Sequence, residues 1–281
     1  MSRLAVLLLP LFLLVSCENT NLLMMTDAAS DAVTAMTLSD EDVRKLSRQA
    51  AAEEDSKHRV APPGSPDDTR LRRLVDKYGR YQGRNYNFKV YLTHDINAFA
   101  MADGSIRVYR GLMELMNDQE LLFVIGHEMG HVALDHSRKK VMMAYATSAV
   151  KKGLAAQENQ VGQLAGSVLG DFAEQLVNAQ FSQHEERRAD DFGAAFLESL
   201  GHDRAAAVSA LSKLAELAKR HTFLSSHPEP ENRAQRLKRG DAAEPDDVSS
   251  WLDQLLLWGE RLLVGVLNLL LNLVKWLLSL L

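Results

Sequence analysis

His127-Glu128-Met129-Gly130-His131 sets two imidazoles four residues apart, with a carboxylate beside the first. On an α-helix, positions i and i+4 share a face, so both rings reach one ion while Glu128 points toward the water next to it. Zinc is the natural ion, because imidazole suits it and a catalytic zinc takes three protein ligands plus water. That chemistry needs a third ligand. His136 lies five residues past His131, rotated off the ligand face, and is expected behind the ligands or at the helix end. The extended HExxHxxGxxH pattern is absent, since Leu134 and Ser137 stand where it needs glycine and histidine. Downstream, Glu186 and Asp190 stand at i and i+4 in a second helical stretch, so one could bind the ion while the other braces a ligand histidine. A carboxylate from that helix completes a His, His, Glu set, with Glu186 the first choice. Glu185 is the runner-up, because it lacks the four-residue spacing to Asp190.

The elements that position these groups follow from pattern. Gln119 to Leu134 carries Leu121, Leu122, Ile125, Val132 and Ala133 for burial and has no proline, which predicts a helix. Phe88, Val90 and Leu92 alternate with Lys89 and Tyr91, and Ile106 and Val108 alternate with Arg107 and Tyr109, so two strands are expected with Asp103-Gly104 as a turn. Ser39-Asp40-Glu41-Asp42 looks like a capping start for an N-terminal helix, which Ala61-Pro62-Pro63-Gly64-Ser65-Pro66 ends. A further helix is expected from Thr69 to Tyr78, and helical patterns dominate from Asp118 to His221. A small sheet followed by helices implies a mostly helical α+β domain. The apolar stretches between Ser137 and Phe181 are either a cover over the cleft or simply core.

With these residues in place, the chain resembles the zinc metallopeptidases that include the CAAX prenyl protease, the bacterial heat-shock membrane protease HtpX and the Oma-type proteases, peptidase family M48. HExxH followed by Glu186-xxx-Asp190 carries the resemblance, together with Ile96 to Ala100, Gly104 to Val108 with Gly111-Leu112, and His227-Pro228-Glu229-Pro230 with Arg233 and Leu237. It runs from about Thr69 to Leu237; Met101-Ala102-Asp103-Gly104 stands where members usually show Pro-Gly-Gly. The resemblance implies a zincin (gluzincin) domain with one Zn2+ per chain, held by His127, His131 and Glu186, with Glu128 as general base and Asp190 behind the ligands. Zinc so held would activate water and polarise the scissile carbonyl, and Glu128 would carry the proton to the leaving amine. His227, in the closing segment, could donate to the oxyanion, serve as a fourth ligand that keeps the enzyme latent, or be an ordinary loop histidine. The strand Ser105 to Arg110 could offer an edge for an extended substrate.

The two ends of the chain suggest an address. Met1-Ser2-Arg3, the apolar run Leu4 to Val15 and Leu14-Val15-Ser16-Cys17 resemble a lipoprotein signal, with Cys17 as lipid acceptor and first mature residue. Cys17 is the one cysteine, so no intramolecular disulfide forms. Residues 1–16 would be the signal, 17–68 a tether and helix, 69–240 the metallopeptidase domain, 241–250 a linker and 251–281 an apolar or amphipathic C-terminal helix. That last segment could lie on a membrane, span it, support an oligomer or dock on its own protein. A net charge of −5 with scattered Lys and Arg argues against nucleic acid. The expected protein is a periplasmic, lipid-anchored protease, at the outer rather than the inner membrane, that cuts unfolded or misassembled exported polypeptides. The competing reading is a non-catalytic envelope lipoprotein, a chaperone or scaffold acting through the C-terminal helix.

Overall fold

The computed structural model describes residues 38–145, 168–217 and 225–242. Cys17, the signal segment, residues 243–250 of the expected linker and the C-terminal apolar stretch lie outside the described residues.

Helix α1 (Asp40–Lys57) starts with a reciprocal cap: Ser39 accepts from the Asp42 amide, and the Asp42 carboxylate accepts from the Ser39 amide. Its inner face, Val43, Ser47, Ala50, Ala51 and Glu54, is buried. Helix α2 (Pro66–Val75) begins three residues before the expected Thr69 and ends in a 3₁₀ turn, Asp76–Tyr78. The early start has a simple cause. Ser65 caps the helix, and Pro66 at its first position needs no amide partner, so the proline taken as part of a breaker starts a helix.

Strands β1 (Arg80–Tyr81) and β2 (Arg84–Asn85) form a small hairpin, and β3 (Asn87–Tyr91), β4 (Ala98–Ala100) and β5 (Ser105–Tyr109) form a sheet in the order β3-β5-β4. β3 runs parallel to β5, with Asn87 opposite Ser105, while β4 runs antiparallel to it, with Ala100 opposite Ile106. This overturns the expectation that Ser105 to Arg110 is an edge. Both sides of β5 are paired, and all five of its residues are buried. Arg107 tolerates that burial because Asp55 of α1 receives its Nε at 2.7 Å and its Nη2 at 3.0 Å; Asp55 also accepts from Lys89 and Tyr91. The β4–β5 turn passes so close to β2 that a Cβ on Gly104, whose φ is 90°, would sit 1.9 Å from the Asn85 carbonyl oxygen. The outer side of β3 is bonded by residues 59–61, which leaves β4, among the described residues, without a second strand partner.

After α3 (Arg110–Leu115), the central helix α4 (Asp118–Ala133) opens on a capping box between Asn117 and Glu120 and is buried from Glu120 to Val132. Asp135, at φ 60°, turns the chain into a further helical stretch, residues 136–145. Helices α5 (Val168–Asn178), α6 (Gln183–Ser199), α7 (Ala205–Glu216) and α8 (Pro230–Arg239) complete the described chain. The larger core lies between the sheet, α4, α6 and α7; a second one gathers Val43, Tyr91, Phe99, Val141, Phe172 and Leu176. Within the 137–181 segment, Val141, Ala144, Phe172, Ala173, Leu176 and Val177 serve as core, while Met143 and Leu169 remain exposed.

Candidate metal centre

α4 and α6 cross in close contact because three glycines remove the side chains that would separate them. A Cβ on Gly126 would come within 2.8 Å of Phe196, one on Gly130 within 3.0 Å of Phe192, and one on Gly193 within 2.8 Å of the His127 amide nitrogen. That close approach brings the α6 carboxylates onto the histidine face of α4. Sequence reasoning did not assign these glycines a role, although the four-residue spacing of Gly126 and Gly130, each just before a histidine, was a usable signal.

His127 and His131 turn their Nε2 atoms toward each other at 3.0 Å, and Glu186 lies beside both, Oε2 at 3.6 Å from the first and Oε1 at 3.4 Å from the second. His227 enters from the loop before α8, with Nδ1 at 2.9 Å from Glu186 Oε1 and 3.3 Å from His127 Nε2. Ligand atoms from His127, His131, Glu186 and His227 all fall within 4.8 Å of one another. Glu128 stands alongside, its Oε1 3.4 Å from His227 Nε2. Each of these five residues exposes 1% or less of its surface, so the cluster is shut off from solvent.

The surrounding groups fix ring orientation and charge. Asp190 Oδ1 lies 3.0 Å from His127 Nδ1 and is positioned to accept its proton, which leaves the Nε2 lone pair facing the cluster. Arg233 grips Asp190 with two bonds and also ion-pairs with Glu186. His136 Nδ1 lies 3.1 Å from His131 Nδ1, behind the ligand face as its spacing suggested. Glu185, the runner-up, is committed elsewhere: it caps α6 through the Ser182 amide and hydroxyl and pairs with Lys139. Phe181 stacks on His131 at 3.6 Å, and its amide donates to the Ser226 carbonyl next to His227. Neither the Arg233 clamp nor this aromatic cover was assigned from sequence, because both contacts join segments distant in the chain.

Burial raises the Glu128 carboxyl to about 7, and neither of its oxygens finds a hydrogen-bond partner among the described residues. Burial also holds His131 well below the usual imidazole range, hence neutral, and pushes His227 down. For Glu186, burial works the other way, yet Arg233, His227 and His131 outweigh it and keep the carboxylate ionised. The same contest, with Arg233 and His127 against burial, depresses Asp190. Two imidazole lone pairs, an ionised carboxylate and an unpartnered one thus converge in a dry site. That donor set fits a divalent cation of the borderline kind that takes nitrogen and oxygen together, zinc above all.

A zincin-like peptidase is what this arrangement defines: two histidines and a glutamate on the helix that opens the site, and a carboxylate from a crossing helix. The description "Peptidase family M48" matches residues 68–240, and the chain belongs to that family. It is 41% identical over 228 residues to the metalloprotease LoiP of Escherichia coli, covering 80% of this chain and 90% of that one. It is 39% identical over 232 residues to YcaL of the same organism, covering 80% and 91%. A shorter match, 26% over 162 residues, covers 53% of this chain and 33% of a putative beta-barrel assembly-enhancing protease of Vibrio cholerae. The protein is a zinc metalloendopeptidase.

Proposed function

We propose that this protease acts in the bacterial cell envelope, anchored by lipid on Cys17, and cleaves unfolded or misassembled exported polypeptides. In this reading residues 69–240 form the catalytic domain, and residues 251–281 add a membrane or oligomer contact. The lipobox-like Leu14-Val15-Ser16-Cys17 and the name of the beta-barrel assembly-enhancing relatives support the address. Among the described residues no helix is long and apolar enough to cross a membrane.

At the site, His127, His131 and Glu186 hold zinc, and Asp190, fixed by Arg233, keeps His127 in the tautomer that presents Nε2. When bound, the ion supplies Lewis-acid polarisation and acidifies water. Glu128 takes the proton from water and returns it to the leaving amine, a role that suits a buried carboxyl pushed up toward neutrality whose oxygens hold no hydrogen bond among the described residues. An extended substrate approaches the sheet beside β4, next to α4, where the outward Ala98 amide and Ala100 carbonyl, now bonded to the Asn97 and Ser137 side chains, become available to it when those bonds open. In this reading His227 holds the site latent at rest, through its joint contacts with Glu186, His127 and Glu128. After it swings away, its imidazole is a donor available to the oxyanion.

The observation that carries the reading is the convergence of four metal-binding side chains within 4.8 Å beside an unpartnered Glu128. The test is cleavage of an unfolded protein by the purified, zinc-loaded chain, with Glu128→Gln and chelated samples alongside. Cleavage confined to the intact loaded protein is expected; equal cleavage by Glu128→Gln would remove Glu128 from the mechanism. A His227→Ala protein with wild-type turnover and wild-type zinc affinity would dispose of both roles for His227.

A further inference from the structure

Lys140 is nine-tenths buried, on the helical stretch 136–145 and one turn past His136, so it shares the helix face directed at the metal cluster. Its ammonium has no carboxylate within 4.0 Å among the described residues. Its near neighbour is instead the face of Phe181, with Nζ 3.8 Å from the ring centroid. The opposite partner of that ring is His131, stacked at 3.6 Å and 14°, and His227 lies 5.6 Å away. Ammonium, phenyl ring and metal-side imidazole thus form a layered stack that ends at the reaction centre. The adjacent lysine differs: Lys139 pairs with Glu185 at 3.1 Å.

A buried ammonium is costly unless an anion joins it, and a ring face compensates only part of its lost hydration. Burial accordingly pushes Lys140 down to about 8, against the pull of Glu128, Glu186 and Glu185. We propose that Lys140 is a specificity-determining residue whose ammonium receives a carboxylate of the polypeptide substrate near the bond to be cut. The proposal rests on this cluster being the active site. The carboxylate has two sources with one chemistry, an internal Asp or Glu side chain or the free chain end. Phe181, between the ammonium and His131, sets the boundary of the pocket: a substrate group that reaches Lys140 passes the ring that now covers the ligand.

The test compares matched peptides that differ by Glu against Gln at each position around the scissile bond, and by a free against an amidated C-terminus. kcat/KM is measured for the wild type, Lys140→Met and Lys140→Glu. The wild type is expected to favour one carboxylate peptide by about tenfold or more. Lys140→Met is expected to erase the preference, read as the ratio of kcat/KM for charged and neutral peptides within each variant, and Lys140→Glu to favour a peptide with Lys at that position. The favoured peptide identifies the source, side chain or chain end. A second readout needs no turnover: binding of the same peptides to the zinc-loaded Glu128→Gln protein, with and without Lys140→Met, by fluorescence anisotropy. Discrimination there supports the role of Lys140 even if no peptide is cleaved, whereas loss of cleavage alone counts against the catalytic assignment. Lys140→Gln, polar and closer in shape, replaces Lys140→Met if the latter unfolds. Equal handling of charged and neutral peptides by the wild type, or a preference that survives in the variants, overturns the proposal.

Discussion

Arg233 holds both oxygens of Asp190, Nη2 to Oδ1 at 2.6 Å and Nε to Oδ2 at 2.8 Å, with their side chains 5% and 0% exposed. Asp190 passes that fixed geometry to His127 Nδ1 at 3.0 Å. The planar fork matters as much as the charge, so lysine is not an equivalent. Arg233→Lys is expected to weaken zinc binding by about 10–100-fold, the range for partners that orient ligands. Competition with a chromophoric chelator measures it; unchanged affinity would show that the clamp serves folding alone.

Glu128→Gln keeps the shape of the side chain and removes the carboxylate proposed as the base. Proteolysis is expected to fall by about 10²–10⁴-fold while zinc content stays at one per chain. Activity by cleavage of an unfolded protein, together with metal analysis of the same sample, separates loss of the base from loss of the ion.

Gly193 of α6 packs on the backbone of α4 at His127, and a Cβ there would meet the amide nitrogen at 2.8 Å. Gly193→Ala is expected to cost about 1–3 kcal/mol, because backbone rather than a flexible side chain must shift. Since the same contact sets the distance from Glu186 and Asp190 to the histidines, zinc affinity falls with it. A lower Tm with intact affinity would uncouple packing from the site.

Asp55 supplies the acid-side prediction. Burial raises its carboxyl, but Arg107, Lys89 and Tyr91 outweigh this and hold it below the usual range. A depressed carboxylate contributes stability that is fully present above the unfolded value of about 3.9 and is lost as pH falls through the folded value. Asp55→Asn is therefore expected to be less stable than wild type at pH 6, by about 1–3 kcal/mol, because Asp55 is only partly buried and Arg107 keeps the Asn87 and Ile106 oxygens. That gap narrows as pH falls below 4. Urea unfolding at stepped pH checks it, and a gap independent of pH would reject the ionic explanation.

Zinc removal leaves converging lone pairs and two carboxylates, Glu128 and Glu186, in a dry site. Chelation is expected to lower Tm, with the loss growing as RT ln of the ratio of free zinc to its dissociation constant. Calorimetry over a zinc titration measures this. In a His131→Ala protein the dependence is expected to shrink sharply.

Local sequence determined the parts of this protein that depend on one element at a time. His127 and His131 share a helix face because four residues make about one turn, and the same spacing paired Glu186 with Asp190 and separated it from Glu185. The capping boxes at Ser39, Asn117 and Ser182 are likewise contacts across three residues. Tertiary structure alone decided the rest. β5 alternates like an edge strand yet lies in the middle, because strand order depends on which neighbours pair and not on the strand's own pattern. Pro66 starts a helix where composition suggested only a break, since its effect depends on the cap before it. Arg233, Phe181 and Lys140 acquire their places only when segments some 40 to 100 residues apart meet at α4. The spacing along each helix can single out candidate ligands, but the charge, cover and access of a buried site belong to all the chain segments that close around it.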